Sequence, residues 1–213
     1  MRTILFITIL LVIPILFWTT DLIEDPPKQQ SKKVETFIKT EHSVIEVVKY
    51  KDHKHKFIHT IKKCLDKIEE DMPKDKLIPT ALIIAQAAHE SGWGTSRFAK
   101  EAYNIFGIRT WDKNEKQIKA RGNPDAKWGI KVFSDWCDCT AYYYDLLNRH
   151  PAYEGFRTAR GMMLKFEEKA DAITLAKFLT EFSELGQTYT RRIETTIHQL
   201  NEKYLDEHGN IKN

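Results

Sequence analysis

The stretch Ile78-Pro79-Thr80-Ala81-Leu82-Ile83-Ile84-Ala85-Gln86-Ala87-Ala88-His89-Glu90-Ser91-Gly92-Trp93-Gly94 decides the fold. Proline is well tolerated in the first turn of a helix, where its missing N–H has no intrahelical acceptor, and glycine just past the end supplies the left-handed residue on which helices commonly stop. Pro79 and Gly92 therefore bracket a helix. Its residues are small and apolar nearly all round, the pattern of a helix enclosed by its own domain rather than lying on its surface. The other elements must assemble around it.

The carboxylate of that helix, Glu90, lies at its C-terminal end. An anion there faces the negative end of the helix dipole, and Glu90 follows Ala87 by three residues and Ile83 by seven, so it shares their buried face. Both effects raise its pKa. The dipole supplies at most about 1 kcal/mol at an ordinary surface, so a shift of roughly two units also requires desolvation. Trp93 and Phe106 are candidates for the apolar wall. A carboxyl group kept protonated near neutrality can donate its proton to a glycosidic oxygen. The alternative is an acid that merely bonds nearby backbone.

Upstream, Phe57, Ile61, Cys64, Leu65 and Ile68 recur at helical spacing, with Asp52 as N-cap and Pro73 closing the element. His55 and His59 are four apart, but no third ligand accompanies them, so no metal is expected. Downstream, Trp128, Ile130 and Val132 alternate and can pair with Ile105 to Thr110 across a polar stretch containing Gly122-Asn123-Pro124, which predicts a small hairpin lobe. Ser134 or Asp135 caps a helix through Trp136, Cys139, Tyr143 and Leu146 or Leu147, ended by His150-Pro151. Leu175 to Phe182 and the series Ile193, Ile197, Leu200, Tyr204 supply the last helices. The class is mainly α (α+β), with a minor β lobe.

At the other extreme of the chain, Ile4 to Trp18 is an apolar run broken only by Thr8 and Pro14, preceded by Arg2 and followed by Asp21, Glu24 and Asp25. Such a run reads as a membrane-targeting segment, N-terminus inside, with the remainder outside the cytoplasm. It lacks the small residues of a cleavage site and ends on an interfacial Trp18, which favours an uncleaved inner-membrane anchor over a secreted, processed form. Asp25-Pro26-Pro27-Lys28 through Lys33 is a polar, proline-stiffened tether. The expected organisation is residues 1–20 as anchor or signal, 21–50 as linker, 51–208 as one domain and 209–213 as a tail.

Of the 213 residues, 33 are Lys or Arg and 30 Asp or Glu, giving a net charge of +3. This mixed surface does not suit nucleic acid as a partner. Cys64, Cys137 and Cys139 match no zinc spacing, and no cofactor is expected. Cys137 and Cys139 diverge on a helix, so they cannot bridge each other, although either can reach Cys64 in an oxidising compartment. The favoured reading is three small buried hydrophobes. The chain is expected to be a monomer.

The stretch from Ile78 to Ala99, followed by Tyr103-Asn104-Ile105-Phe106-Gly107-Ile108, resembles the endo-β-N-acetylglucosaminidase domain of glycoside hydrolase family 73, and within it the Bax-type bacterial envelope proteins. The similarity continues through His150-Pro151-Ala152-Tyr153 and Phe182 to Tyr189. The resemblance implies a lysozyme-like fold and hydrolysis of the peptidoglycan bond between N-acetylglucosamine and N-acetylmuramic acid. It puts Glu90 at the family's acid position and Asn104, Phe106 and Gly107 on the motif that borders the cleft. Tyr189 falls on the family's late tyrosine, although Glu184-Leu185-Gly186-Gln187-Thr188 replaces the Thr-Asp-Pro turn of many relatives. Trp93 and Tyr103 are aromatic candidates for the cleft, and Trp93 is expected to pack beneath it.

Two other readings remain open: a lytic transglycosylase on the same fold, and a wall-binding scaffold that has lost catalysis. A second carboxylate is not evident. Asp112, Glu115 and Asp125 in the hairpin region are the candidates, and the alternative is attack by the substrate's own 2-acetamido carbonyl, with Tyr189 orienting that group or stabilising the developing charge.

Overall fold

The computed structural model describes residues 52–182 and 187–212, with the side chains of 180–182 excepted. The apolar run Ile4 to Trp18, its tether and the segment Glu184-Leu185-Gly186 lie outside the described residues. Among the described residues no helix is long and apolar enough to cross a membrane.

Helix α1 (His53–Glu69) starts where the Asp52 side chain accepts a hydrogen bond from the His55 N–H at 2.8 Å. It buries Phe57, Ile58, Ile61, Cys64 and Leu65. Helix α2 (Thr80–Ser91) follows Pro79 and ends on left-handed Gly92, whose N–H bonds the carbonyl of Ala88. Residues 81–88 are all buried, as an all-round apolar helix requires. A short helix α3 (Arg97–Glu101), capped by Ser96, leads into three brief strands: β1 (Arg109–Thr110), β2 (Gln117–Ile118) and β3 (Gly129–Lys131).

Helix α4 (Trp136–Arg149) is capped by Asp135, which accepts from the Asp138 N–H at 2.8 Å. Pro151–Tyr153 forms a single tight turn before α5 (Glu154–Met163). Helix α6 (Ala172–Ala176) and a 3₁₀ segment (Lys177–Phe182) precede the last helix, α7 (Gln187–Lys203). Helix α2 is gripped by α1, α6 and α7, while α4 packs on α1. After α7 the chain doubles back through an isolated bridge between Leu205 and Ile211, which sets Gly209 against Thr80.

Three expectations need correction. The lobe has the expected pairing, Arg109 opposite Ile130, but it is a three-stranded antiparallel sheet in the order β1-β3-β2, because β3 also pairs with β2 on its other edge. The missing strand, Gln117–Ile118, is too short to show an alternating pattern. Leu175 to Phe182 does not form a regular helix, since the backbone leaves helical geometry at Leu179. Finally, Cys64 and Cys137 are joined in a disulfide that ties α1 to α4, and only Cys139 is a free buried thiol among the described cysteines. Burial pushes the Cys139 thiol up to about 12, so it stays protonated and inert.

Candidate active site

Glu90 occupies the last turn of α2, immediately before the chain reverses. Gly92, Trp93 and Gly94 take successive positive φ values of 58°, 59° and 76°. Ser91 holds the bend, accepting from the Gly94 N–H at 2.7 Å while its own hydroxyl donates to the Ala87 carbonyl. A Cβ on Gly94 would collide with the Trp136 ring, whose Nε1 donates to the Ala99 carbonyl at 3.0 Å. The signature after Glu90 is thus a device for turning the chain sharply under the carboxyl group.

Trp93 belongs to that device. Its ring meets Phe57 edge-on at 5.9 Å and carries the Lys54 ammonium 4.8 Å above its face. Its carbonyl accepts from His53 Nε2 at 2.7 Å. These contacts place it beneath the bend, against α1.

The carboxyl of Glu90 is partly buried, and that desolvation lifts its pKa to about 7, against the opposing effect of a hydrogen bond from the Tyr189 hydroxyl. Tyr189 is 1 % exposed, in the first turn of α7. Gln86, one turn before Glu90 and fully buried, donates from Nε2 to the Tyr189 oxygen at 3.2 Å. The His89 ring meets Tyr189 edge-on at 5.4 Å. Burial, then the Arg192 charge, holds His89 below its usual pKa, favouring the neutral imidazole.

Phe106 is buried and stacks on Tyr143 with centroids 4.1 Å apart and planes 17° from parallel. Tyr143 is buried close to Glu90, Tyr189 and Tyr153, so the stack lies behind the carboxyl group. Asn104 is also buried, and its amide is committed to backbone: Oδ1 accepts from the Ile108 N–H at 2.9 Å, and Nδ2 donates to the carbonyls of Ile108 at 2.9 Å and Lys131 at 2.8 Å. The asparagine clamps a turn against β3, and Gly107 in that turn, with φ of 69°, comes up beside Glu90. Tyr103 is 45 % exposed on a left-handed backbone of φ 50°.

The three acids of the lobe have separate engagements. Asp112 accepts from the Asn114 N–H at 2.8 Å, Glu115 pairs with Lys131, and Asp125 is exposed. Among the described residues none shares a hydrogen bond or ion pair with Glu90. The fold therefore gathers Glu90, Tyr189, Phe106 and Gly107, and keeps Trp93 on the far side of the bend. Gln86, Tyr143 and Tyr153 were not anticipated. Gln86 had a signal: it is the polar side chain within the buried run of residues 81–88, four before Glu90. Tyr143 had none beyond a helical stripe, and Tyr153 had only its place in the similar stretch His150-Pro151-Ala152-Tyr153.

A chemical capacity follows from this geometry. A carboxyl poised near neutrality, backed by aromatic rings and touched by a phenol, can deliver a proton and be stabilised as the anion it leaves.

Comparison with known proteins points the same way. The family model for glucosaminidases, described as mannosyl-glycoprotein endo-beta-N-acetylglucosaminidase, matches residues 66–202. The chain is 31 % identical over 134 residues to protein bax of Escherichia coli K12, covering 62 % of this chain and 46 % of that protein. It is 31 % identical over 135 residues to the peptidoglycan hydrolase FlgJ of Salmonella typhimurium LT2, covering 58 % of this chain and 40 % of that one. The chain thus spans less than half the length of these curated relatives. Among solved structures, the catalytic domain of the autolysin Auto from Listeria monocytogenes aligns with a TM-score of 0.50 at 16 % identity, over 84 % of this chain and 97 % of that one, a likeness of fold.

Proposed function

The chain belongs to the glucosaminidase family of glycoside hydrolases, and from that premise we propose that it is a peptidoglycan hydrolase cutting the β-1,4 bond from N-acetylglucosamine to N-acetylmuramic acid, with Glu90 as general acid. The observation that carries the reading is the partly buried Glu90 carboxyl, raised to about 7 and bonded by Tyr189. The relative named a peptidoglycan hydrolase supports the choice of polymer.

Protonated Glu90 donates to the glycosidic oxygen as the bond to the anomeric carbon breaks. The carbonyl of the substrate's 2-acetamido group attacks that carbon and closes an oxazolinium ring, which keeps its N–H and whose positive charge balances the Glu90 carboxylate. Water, giving a proton back to the Glu90 carboxylate, then opens the ring and restores the configuration. Tyr189 donates to the carboxylate while it is ionised. No protein nucleophile is required, which accords with the separate engagements of Asp112, Glu115 and Asp125. Tyr103, the solvent-exposed aromatic of the border motif, offers a face for a sugar ring.

We place the domain outside the cytoplasm, tethered to the inner membrane by Ile4 to Trp18. The Cys64–Cys137 disulfide supports the placement outside the cytoplasm, since such bonds persist in oxidising compartments, and the tether rests on the apolar run alone.

Mass analysis of fragments released from purified sacculi tests the reading. Reducing-end N-acetylglucosamine is expected, in amounts that fall as pH rises past 7 and vanish with Glu90→Gln. Mainly 1,6-anhydro-muramic ends would make the protein a lytic transglycosylase, and no release by the parent protein would favour a silent scaffold.

A further inference from the structure

Gln86 is fully buried on the helix that ends in Glu90, and two residues of the same α2 face, four apart, converge on one phenol from α7. A phenol oxygen has one proton to give. Gln86 Nε2 donates to the Tyr189 oxygen at 3.2 Å, which occupies an acceptor position of that oxygen. The Tyr189 proton must then point elsewhere, and the Glu90 carboxyl is a hydrogen-bond partner beside it that can accept.

We propose that Gln86 is a positioning residue for the reaction: it fixes the direction of the Tyr189 hydroxyl and polarises it, so that Tyr189 serves as a dedicated donor to Glu90. This rests on the assignment of Glu90 as general acid. A hydrogen bond received at oxygen makes an O–H a stronger donor, and such chains reinforce one another in a low-dielectric interior. The benefit is greatest when Glu90 has lost its proton, so the relay favours the ionised product of proton transfer over the resting acid. Gln86 thereby eases proton release without touching substrate.

The alternative is that Gln86 is a packing residue whose amide happens to find partners. The other groups that could orient or charge Tyr189 are Tyr143 from α4, Tyr153 from the turn before α5, and His89 with Arg192 behind it. Of these, Tyr143 and Tyr153 are neutral phenols and His89 presents a ring edge. Among the described residues, Gln86 lies in donor geometry to the Tyr189 oxygen, and the same side chain also hydrogen-bonds Tyr143.

The test is a double-mutant cycle read by two methods. Gln86→Met keeps the length of the side chain and removes the donor, and Tyr189→Phe removes the relay. Glu90 is titrated through the carbon signal of its labelled carboxyl, a readout independent of catalysis, and kcat is measured on sacculi. We expect Gln86→Met to raise the Glu90 pKa and lower kcat by on the order of tenfold, the fold-change corresponding to one hydrogen bond. In the Tyr189→Phe background the same substitution should change neither by more than about twofold. Multiplicative losses in the double variant, or an unmoved Glu90 titration in Gln86→Met, would show a packing role and overturn the proposal. A cycle that holds in the titration while the parent releases nothing from sacculi would leave the relay standing and sink the hydrolase assignment instead.

Discussion

A Cβ built on Gly107 would lie 3.8 Å from Oε2 of Glu90. The turn clamped by Asn104 thus presents bare backbone to the carboxyl group, and the open side of the acid is bounded by a residue with no side chain. Gly107 also holds φ at 69°, which costs an L-residue roughly 1–2 kcal/mol.

Gly107→Ala should therefore act twice. The strain lowers stability by roughly 1 kcal/mol, and the methyl group crowds the space where a sugar must approach Glu90. Urea unfolding checks the first effect. Activity on sacculi should fall by more than the loss of folded protein explains, on the order of tenfold.

Glu90→Gln should be more stable than the parent at alkaline pH and equal to it in acid. In the folded protein the carboxyl holds its proton up to about 7, whereas the ordinary value is 4.5. Below 4.5 both states bind the proton. Between 4.5 and 7 only the folded state does, so raising the pH favours unfolding, by up to about 3 kcal/mol above pH 7. Glutamine removes that penalty. Thermal midpoints of the two proteins, compared from pH 4 to pH 8, should diverge over this window, and parallel curves would contradict the burial of a titrating acid.

Asn104→Leu should cost about 2–4 kcal/mol, because three backbone partners lose a buried amide at once. Amide exchange should show the loss concentrated at Ile108 and along β3. Loosening this turn also displaces Gly107 from Glu90, so activity should drop even where the domain remains folded.

Asp112→Asn, Glu115→Gln and Asp125→Asn should each retain appreciable activity, whereas Tyr189→Phe should lose much more. A thiazoline mimic of the cyclised intermediate should inhibit the parent. If one of the three lobe acids proves as indispensable as Glu90 and the thiazoline fails to bind, that acid positions water and the acetamido mechanism is wrong.

The parts legible in the sequence were those written locally. Asp52 and Asp135 announce helices because an N-cap needs only a short acceptor three residues ahead of an amide. Pro79 and Gly92 mark both ends of the central helix by their own backbone preferences, and Glu90 stands out as a carboxylate at the wrong pole of a buried helix. What stayed hidden depends on distance in the chain. Gln86 and Tyr189 are 103 residues apart, and their contact exists because α2 packs on α7. Strand β2 has too few residues to carry a pattern and owes its existence to β3. The choice of Cys137 over Cys139 as the partner of Cys64 follows from how α4 is rotated against α1, which spacing alone does not fix.

That cross-link has a consequence for where the molecule is robust. It closes 73 residues of chain, a restriction of the unfolded state worth about 4 kcal/mol in the loop-entropy account. Cys137 is also the residue after Trp136, the ring over which Gly94 bends to carry the chain away from Glu90. A newly made copy held among cytosolic reductants would have the same helices without this rivet. On the proposed placement outside the cytoplasm, durability of the domain is keyed to geography: the polypeptide is toughest on the side of the membrane where the proposed substrate lies, and most easily unfolded and cleared on the side where it is synthesised.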